Sequence, residues 1–206
     1  MSELVKGWAT LSKDGGTGND TLVASATPHT GRVVRSVTFT VSPNTTGPSS
    51  VQRVINQQAK PEFVSFDNAT PQVDKAGGSV TITGKSNSSK LTFSLGTGTL
   101  VLTLPSTYSA GGVTTNNGTA ITGDPGASQE YAFSITFTGI EANATTNTKS
   151  IQLSVAPNAG TAATCQIEQT AGDAALTVTP ESVTIPWDAS ETKTFTVVSN
   201  IGWTVS

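Results

Sequence analysis

The chain is poor in charge, in sulfur and in histidine. Only 12% of its 206 residues are charged, about half of the roughly 25% found in ordinary soluble domains. Its polarity comes instead from Thr, Ser, Asn and Gly. Long charged side chains favour helices, whereas Thr and Val favour strands, so the balance predicts β structure. A net charge of −3 supplies no basic face to displace counterions, which argues against nucleic acid as a partner. Arg32, Arg35 and Arg53 come nearest to a basic cluster and read as solvated surface. One cysteine, Cys165, excludes an intrachain disulfide and a thiolate metal centre. Its place in the alternation Thr164-Cys165-Gln166-Ile167 predicts a small buried hydrophobe. No run approaches the ~18 apolar residues that cross a bilayer, so no membrane partner is expected. Residues 1–8 show neither an apolar leader core nor a lipid-attachment cysteine. The expectation is synthesis in the cytoplasm without a signal peptide. On that expectation, the Asn-x-Ser/Thr triplets at Asn19, Asn44, Asn68, Asn87, Asn117 and Asn143 reflect composition rather than glycosylation.

What the chain does contain is repetition. Ile167-Glu168-Gln169-Thr170-Ala171 repeats Ile55-Asn56-Gln57-Gln58-Ala59, placing Gln57 and Gln169 112 positions apart. Thr194-Phe195-Thr196 with Ser199-Asn200 repeats Thr81-Ile82-Thr83 with Ser86-Asn87, 113 positions earlier. Gly202-Trp203-Thr204 matches Gly7-Trp8-Ala9-Thr10. A period of about one small domain indicates tandem modules. Three units follow: a partial or variant one over 1–60, a complete one over 62–172, and the first strands of a third over 173–206. Alternation of period two predicts strands at 8–12, 21–25, 32–41 and 51–57 in the first unit. In the second, strands are expected at 63–66, 80–83, 90–95, 99–104, 131–137, 150–155 and 164–169. The third repeats the opening order at 176–178, 183–185 and 193–198. Residues 105–126 form the one long irregular stretch. No segment sustains a helical period. The fold class is therefore all-β, built of tandem β-sandwich modules.

The alignment of Trp8 with Trp203 makes the chain begin with the back part of a module and end with the front part. An incomplete sandwich leaves an open edge and an uncovered core. Two expectations follow: the third module is cut off in the sequence, or strands missing from the first unit come from another chain, a partner or a sister copy.

Chemistry is sparse. His29 sits in Pro28-His29-Thr30-Gly31 with no second histidine, and reads as a loop residue. No Gly-x-Ser-x-Gly elbow supplies a nucleophile. Asp124, Glu130 and Glu141 are the conceivable carboxylates for glycoside hydrolysis, yet read as ordinary surface acids. Asp14, Asn19 and Asp20 offer hard oxygens without the spacing of a calcium loop. Gly15-Gly16-Thr17-Gly18 lacks the Lys-Ser/Thr of a phosphate loop. No catalytic, cofactor or metal residue is assigned, and no enzyme is expected. Among aromatics that could stack on sugars, Trp187 follows a strand at a turn, Tyr108 lies in the long loop, and Trp8 and Trp203 read as core.

Several motifs nevertheless form a set. The chain ends its strands with I-x-Q-x-A, opens a unit with L-x-V-x-P-x-S-V-x-I, and carries T-F-T-V-V-S-N-I-G-W-T-V-S. It also places Gly16-Thr17-Gly18-Asn19 before a strand and Arg35-Ser36-Val37-Thr38-Phe39 before the Gln-ended strand. Together these resemble the BACON module, an immunoglobulin-like β-sandwich of Bacteroidetes surface proteins and crAss-like bacteriophages. The resemblance is closest over 173–206, partial over 8–60 and loosest over 62–171, where 105–126 is expanded and a Trp is replaced near Leu91. It implies tandem immunoglobulin-like modules. With no leader, lipid cysteine or enzyme domain in view, it implies a virion structural protein: an auxiliary capsid or head-decoration protein on the capsid surface. Its partners would be the major capsid protein or other virion proteins, through strand pairing with the first unit, and host or mucosal glycans. The alternatives it implies are a mucin-binding carbohydrate module of a bacterial surface protein and a phage tail or receptor-binding protein.

Overall fold

The computed structural model describes residues 2–206, and its regular structure is entirely β, with sixteen strands and no helix among the described residues. Accordingly, no helix is long and apolar enough to cross a membrane. The middle of the chain holds nearly all of the core. There β6 (Val64–Phe66), β8 (Gly78–Ser86), β10 (Thr107–Ala110), β11 (Val113–Asn116) and β12 (Tyr131–Ile140) form a five-stranded sheet in the order β11-β10-β12-β8-β6. Against it lie β7 (Gln72–Val73), β9 (Leu91–Gly98), β13 (Lys149–Pro157) and β14 (Ala163–Gln169), in the order β7-β14-β13-β9. Every pairing is antiparallel except that of β7 with β14. The two layers make a β-sandwich.

Alternation explains the core. Along β12, Tyr131, Phe133, Ile135 and Phe137 point inward and are buried, as period-two patterning requires. They meet Ile151, Leu153 and Val155 of β13 and Cys165 and Ile167 of β14 in one cluster. Phe133 packs edge-on against Phe93 at 5.6 Å and Phe66 at 5.9 Å, the arrangement ring quadrupoles favour. Gly84 permits this approach, because a Cβ there would fall 2.2 Å from the Ser65 carbonyl and 2.4 Å from the Phe133 ring. Cys165 is buried, as its alternation predicts, and burial pushes its thiol up to about 11.

Two expectations for this unit are corrected. Residues 105–126 are not irregular throughout, because β10 and β11 pair as a hairpin across Gly111-Gly112. Positive φ at both glycines (57° and 85°) gives the turn whose twist matches flanking strands. Residues 99–104 do not form a strand. The amides of Thr99 and Leu100 both donate to the Ser150 carbonyl (2.8 and 3.0 Å), which turns the chain off the sheet edge and buries Leu100 while Val101 faces outward.

The flanking units repeat pieces of this sandwich. In the first, β1 (Leu4–Lys6), β2 (Ala9–Leu11) and β3 (Ala24–Ala26) form a three-stranded sheet, and β4 (Arg35–Val41) pairs with β5 (Val51–Gln57). In the third, β15 (Leu176–Thr179) pairs with β16 (Thr196–Ser199). The register of β4–β5 reproduces that of β13–β14: Arg35 opposes Gln57 as Lys149 opposes Gln169, and Val37 opposes Ile55 as Ile151 opposes Ile167. Likewise Leu176 opposes Ser199 as Val64 opposes Ser86. The expected strand at 183–185 is not paired. In the middle unit its counterpart is β7, which pairs with β14, and among the described residues after 173 no strand stands in the place of β14.

Candidate functional site

The densest polar arrangement is the junction between the first and middle units. Arg32 reaches the end of the sandwich where β8 finishes and β12 begins. Its Nη2 donates to Asp124 Oδ1 at 2.9 Å and its Nε to the Asn87 carbonyl at 3.2 Å, while the same Nε lies 3.2 Å from Glu62 Oε1. Its side chain is only 17% exposed and that of Glu62 only 3%. Arg32 therefore does not belong to the solvated surface, which corrects the sequence expectation. The Arg32 guanidinium holds the Asp124 carboxyl below the usual carboxylate range, and Asp124 in turn raises Arg32. Beneath them Ser88 donates to Glu62, and the Tyr131 hydroxyl donates to the Ser88 carbonyl at 2.7 Å. Burial pushes that phenol up to about 12.

A clamp at this junction recurs at the other end of the sandwich. Asn87 accepts from the Phe63 amide (2.8 Å) and donates to the carbonyls of Pro61 (3.1 Å) and Ala127 (3.0 Å). Asn200 accepts from the Ala175 amide (2.8 Å) and donates to the carbonyls of Asp173 (2.8 Å) and Ala144 (2.9 Å). The serine before each does the same work: Ser86 Oγ donates to the Phe63 carbonyl at 2.7 Å and Ser199 Oγ to the Ala175 carbonyl at 3.0 Å. An Asn side chain carries both donors and an acceptor, so it can tie the linker entering a unit to the turn leaving its second strand. Sequence reasoning had the signal, since Ser86-Asn87 and Ser199-Asn200 are one of the repeats, but read it as period rather than function.

The sequence candidates for chemistry are scattered. His29 is engaged by its own loop: Gly31 N donates to Nδ1 at 3.3 Å and Nε2 donates to the Val33 carbonyl at 2.7 Å. Asp124 is held by Arg32. Glu130 is exposed just before β12, whereas Glu141 follows its far end. Ten residues of strand span about 30 Å, so Glu141 cannot pair with either of the other two. Asp20 accepts from Lys13 Nζ at 2.5 and 2.7 Å, and Asp14 accepts from Ser2. Among the described residues no three His, Cys, Asp or Glu side chains converge as metal ligands.

The aromatics are also sorted. Tyr108 is buried against Phe93 at 5.0 Å, not displayed on a loop. Trp187 is 98% exposed at its turn. Trp8 lies under the Arg35 guanidinium at 4.6 Å, a cation–π contact. Trp203 is 51% exposed and so is not core in the described structure.

No protein-family profile matches the chain, and no curated protein matches it. Among solved structures it is similar to two endo-fucoidan hydrolases of glycoside hydrolase family 107. One is a point variant of MfFcnA4, at 14% identity over 82% of this chain and 23% of that one, with a TM-score of 0.25. The other is MfFcnA9, at 15% identity over 82% of this chain and 27% of that one, with a TM-score of 0.28. The chain spans about a quarter of their length, and at these scores the likeness carries no conclusion about fold or activity.

Proposed function

We propose that the chain is a non-enzymatic structural protein of a virion, an auxiliary capsid or head-decoration protein of crAss-like phage type that docks on the shell and projects immunoglobulin-like modules. The observation that carries the reading is that each flanking unit is tied to an end of the middle sandwich, the first by Arg32 on Asp124 and Glu62 and the third by Asn200 on the Ala144 carbonyl, which suits modules strung in series. The strand order of the middle unit supports immunoglobulin-like modules. Read as A, A′, B, C, D, E, F and G, its strands β6, β7, β8, β9, β10, β12, β13 and β14 give the A-B-E-D and C-F-G layers of that fold, with β11 added beside D. Docking on the major capsid protein or a neighbouring virion protein falls to the first unit. Its edge strand β1 has no neighbour beyond β2 among the described residues and exposes Val5, and such an edge accepts a strand from another chain. The protein then acts on the capsid surface. Cryo-electron microscopy of the particle with which it co-purifies tests this: residues 1–60 should be ordered against the shell, with later units extending outward. Purification without any particle would overturn it.

Trp187 favours a second reading, a glycan-binding module of a bacterial surface protein or a phage tail. An indole 98% exposed at a turn is suited to stacking on a sugar face. Retention of the wild-type chain on mucin glycans, lost in Trp187→Ala, is the expected result if that reading holds.

A further inference from the structure

The flanking units each leave open the face that the middle unit closes. In the middle unit, Ile151, Leu153, Val155 and Ile167 are all buried, and the strands that cover them include β6. Their counterparts in the first unit are Val37, Phe39, Val41 and Ile55, by the register the two hairpins share. None of the four is buried, and Val41 is 49% exposed. A cleft of about 300 Å³ separates this hairpin from the β1–β3 sheet, lined by Leu4, Leu11, Leu22, Phe39 and Val41. The third unit presents the opposite half. Leu176, Val178, Ile185 and Phe195 occupy the repeat positions of Val64, Phe66, Val73 and Ile82. Val64, Val73 and Ile82 are 2–8% exposed, whereas the four in the third unit are 49–54% exposed.

We propose that the third unit of one copy completes the first unit of another, so that the chain associates head to tail. The middle unit supplies the template. There β7 pairs in parallel with the free edge of β14, Gln72 opposite Glu168 and Val73 opposite Gln169. Transferred through the repeat, Thr184 opposes Asn56 and Ile185 opposes Gln57. Among the described residues β5 pairs only with β4, which leaves its outer edge open to this strand. The buried Gln169 donates to two carbonyls, of Glu141 at 2.8 Å and Asp74 at 3.4 Å. Gln57 makes the first of these bonds, to Thr27 at 2.9 Å, and the Pro186 carbonyl of the incoming unit stands where Asp74 would be.

Charge agrees with this choice of occupant. Residues 1–60 carry six basic and three acidic side chains, and residues 173–206 carry one basic and four acidic, so the halves are +3 and −3. They cannot meet within one chain as folded. The first unit joins the sandwich where β8 ends and the third where β8 begins, as the Arg32–Asp124 and Lys75–Asp173 pairs show. Nine residues of strand separate those ends by about 30 Å. The opposite charges and the shared register therefore favour a second copy as the occupant. This inference goes beyond the virion reading and stands or falls without it.

Sedimentation velocity of the 206-residue chain from micromolar to millimolar concentration is the test, because mass action drives such association. A series growing by one chain at a time is expected. Val51→Asp on the head and Ile185→Asp on the tail, both at exposed positions, should each leave monomer, and an equimolar mixture of the two should form dimer and nothing larger. Independently, the double variant Asn56→Cys/Thr184→Cys should give a disulfide-linked ladder under oxidation, and neither single variant should. A chain monomeric throughout, association that neither aspartate abolishes, or no ladder from the double variant overturns the proposal.

Discussion

The middle unit and the two flanking hairpins carry the same pattern and the same register, yet only one of them is a core. Leu153 in the middle is fully buried, while Val41 and Val51 on the matching first-unit hairpin are 49% and 44% exposed. Phe195 is half exposed, and Ile82 at the same repeat position is 2% exposed. Hydrophobic stabilisation scales with the area removed from water, so identical patterning yields very different stability depending on whether a second layer lies opposite. A hairpin of two strands is at best marginally stable alone. The comparison teaches that the repeat fixes local pairing, while the opposing sheet decides whether that pairing becomes a domain.

The largest effect should come from breaking the core. Phe133→Ala removes a ring packed against Phe66 and Phe93 and should cost about 3–5 kcal/mol in urea unfolding. Phe195→Ala, on the open third unit, should cost under about 1 kcal/mol in the same experiment. Equal costs would erase the contrast.

The junction should give a smaller, pH-dependent effect. Asp124 has its pKa depressed mainly by the hydrogen bond from Arg32. Its contribution is therefore present above the ordinary carboxylate pKa near 3.8 and lost as pH falls through the depressed value. Asp124→Asn should lower stability by on the order of 1 kcal/mol at pH 7, since the pair is partly exposed to solvent. Against the wild type that difference should vanish on acidification below the folded pKa, in thermal melts read by far-ultraviolet circular dichroism. A difference that persists in acid would show that geometry rather than charge holds the junction.

Cys165 sharpens the comparison without altering it. Its thiol is buried and pushed up to about 11, so labelling by a thiol reagent at neutral pH should wait for unfolding of the middle unit. Immediate labelling would mean that the β13–β14 face opens. The smallest effect belongs to Trp187→Phe, expected to shift stability by no more than about 0.5 kcal/mol while removing the most quencher-accessible of the three indoles. All three tryptophans, Trp8, Trp187 and Trp203, lie in the flanking units. Indole emission should therefore report those units and stay silent on the core.

Much of this was legible in the chain. The alternation of Tyr131, Phe133, Ile135 and Phe137 marked β12 and its buried face, and the Gln57/Gln169 repeat marked β5 and β14 as equivalent strands. The hairpin inside 105–126 was hidden because short polar strands such as Val113–Asn116 carry no hydrophobic alternation, and only the Gly111-Gly112 turn signalled it. The departure at 99–104 was hidden for the opposite reason: Leu100, Leu102 and Leu104 alternate like a strand, but the Thr99 and Leu100 amides are captured by Ser150. The junction was the least legible part. Arg32, Glu62 and Asp124 are far apart in sequence, and nothing in their neighbours indicates that a solvated-looking arginine is pinned between two carboxylates.

Hydrogen–deuterium exchange across the whole chain at low micromolar concentration tests the central claim most directly. Amides of β8, β12, β13 and β14 should exchange only through global unfolding, while those of β4, β5, β15 and β16 exchange orders of magnitude faster through local opening. Equal protection in all three units under those conditions would contradict the account, because it would require the flanking hairpins to possess cores that their exposed faces deny them.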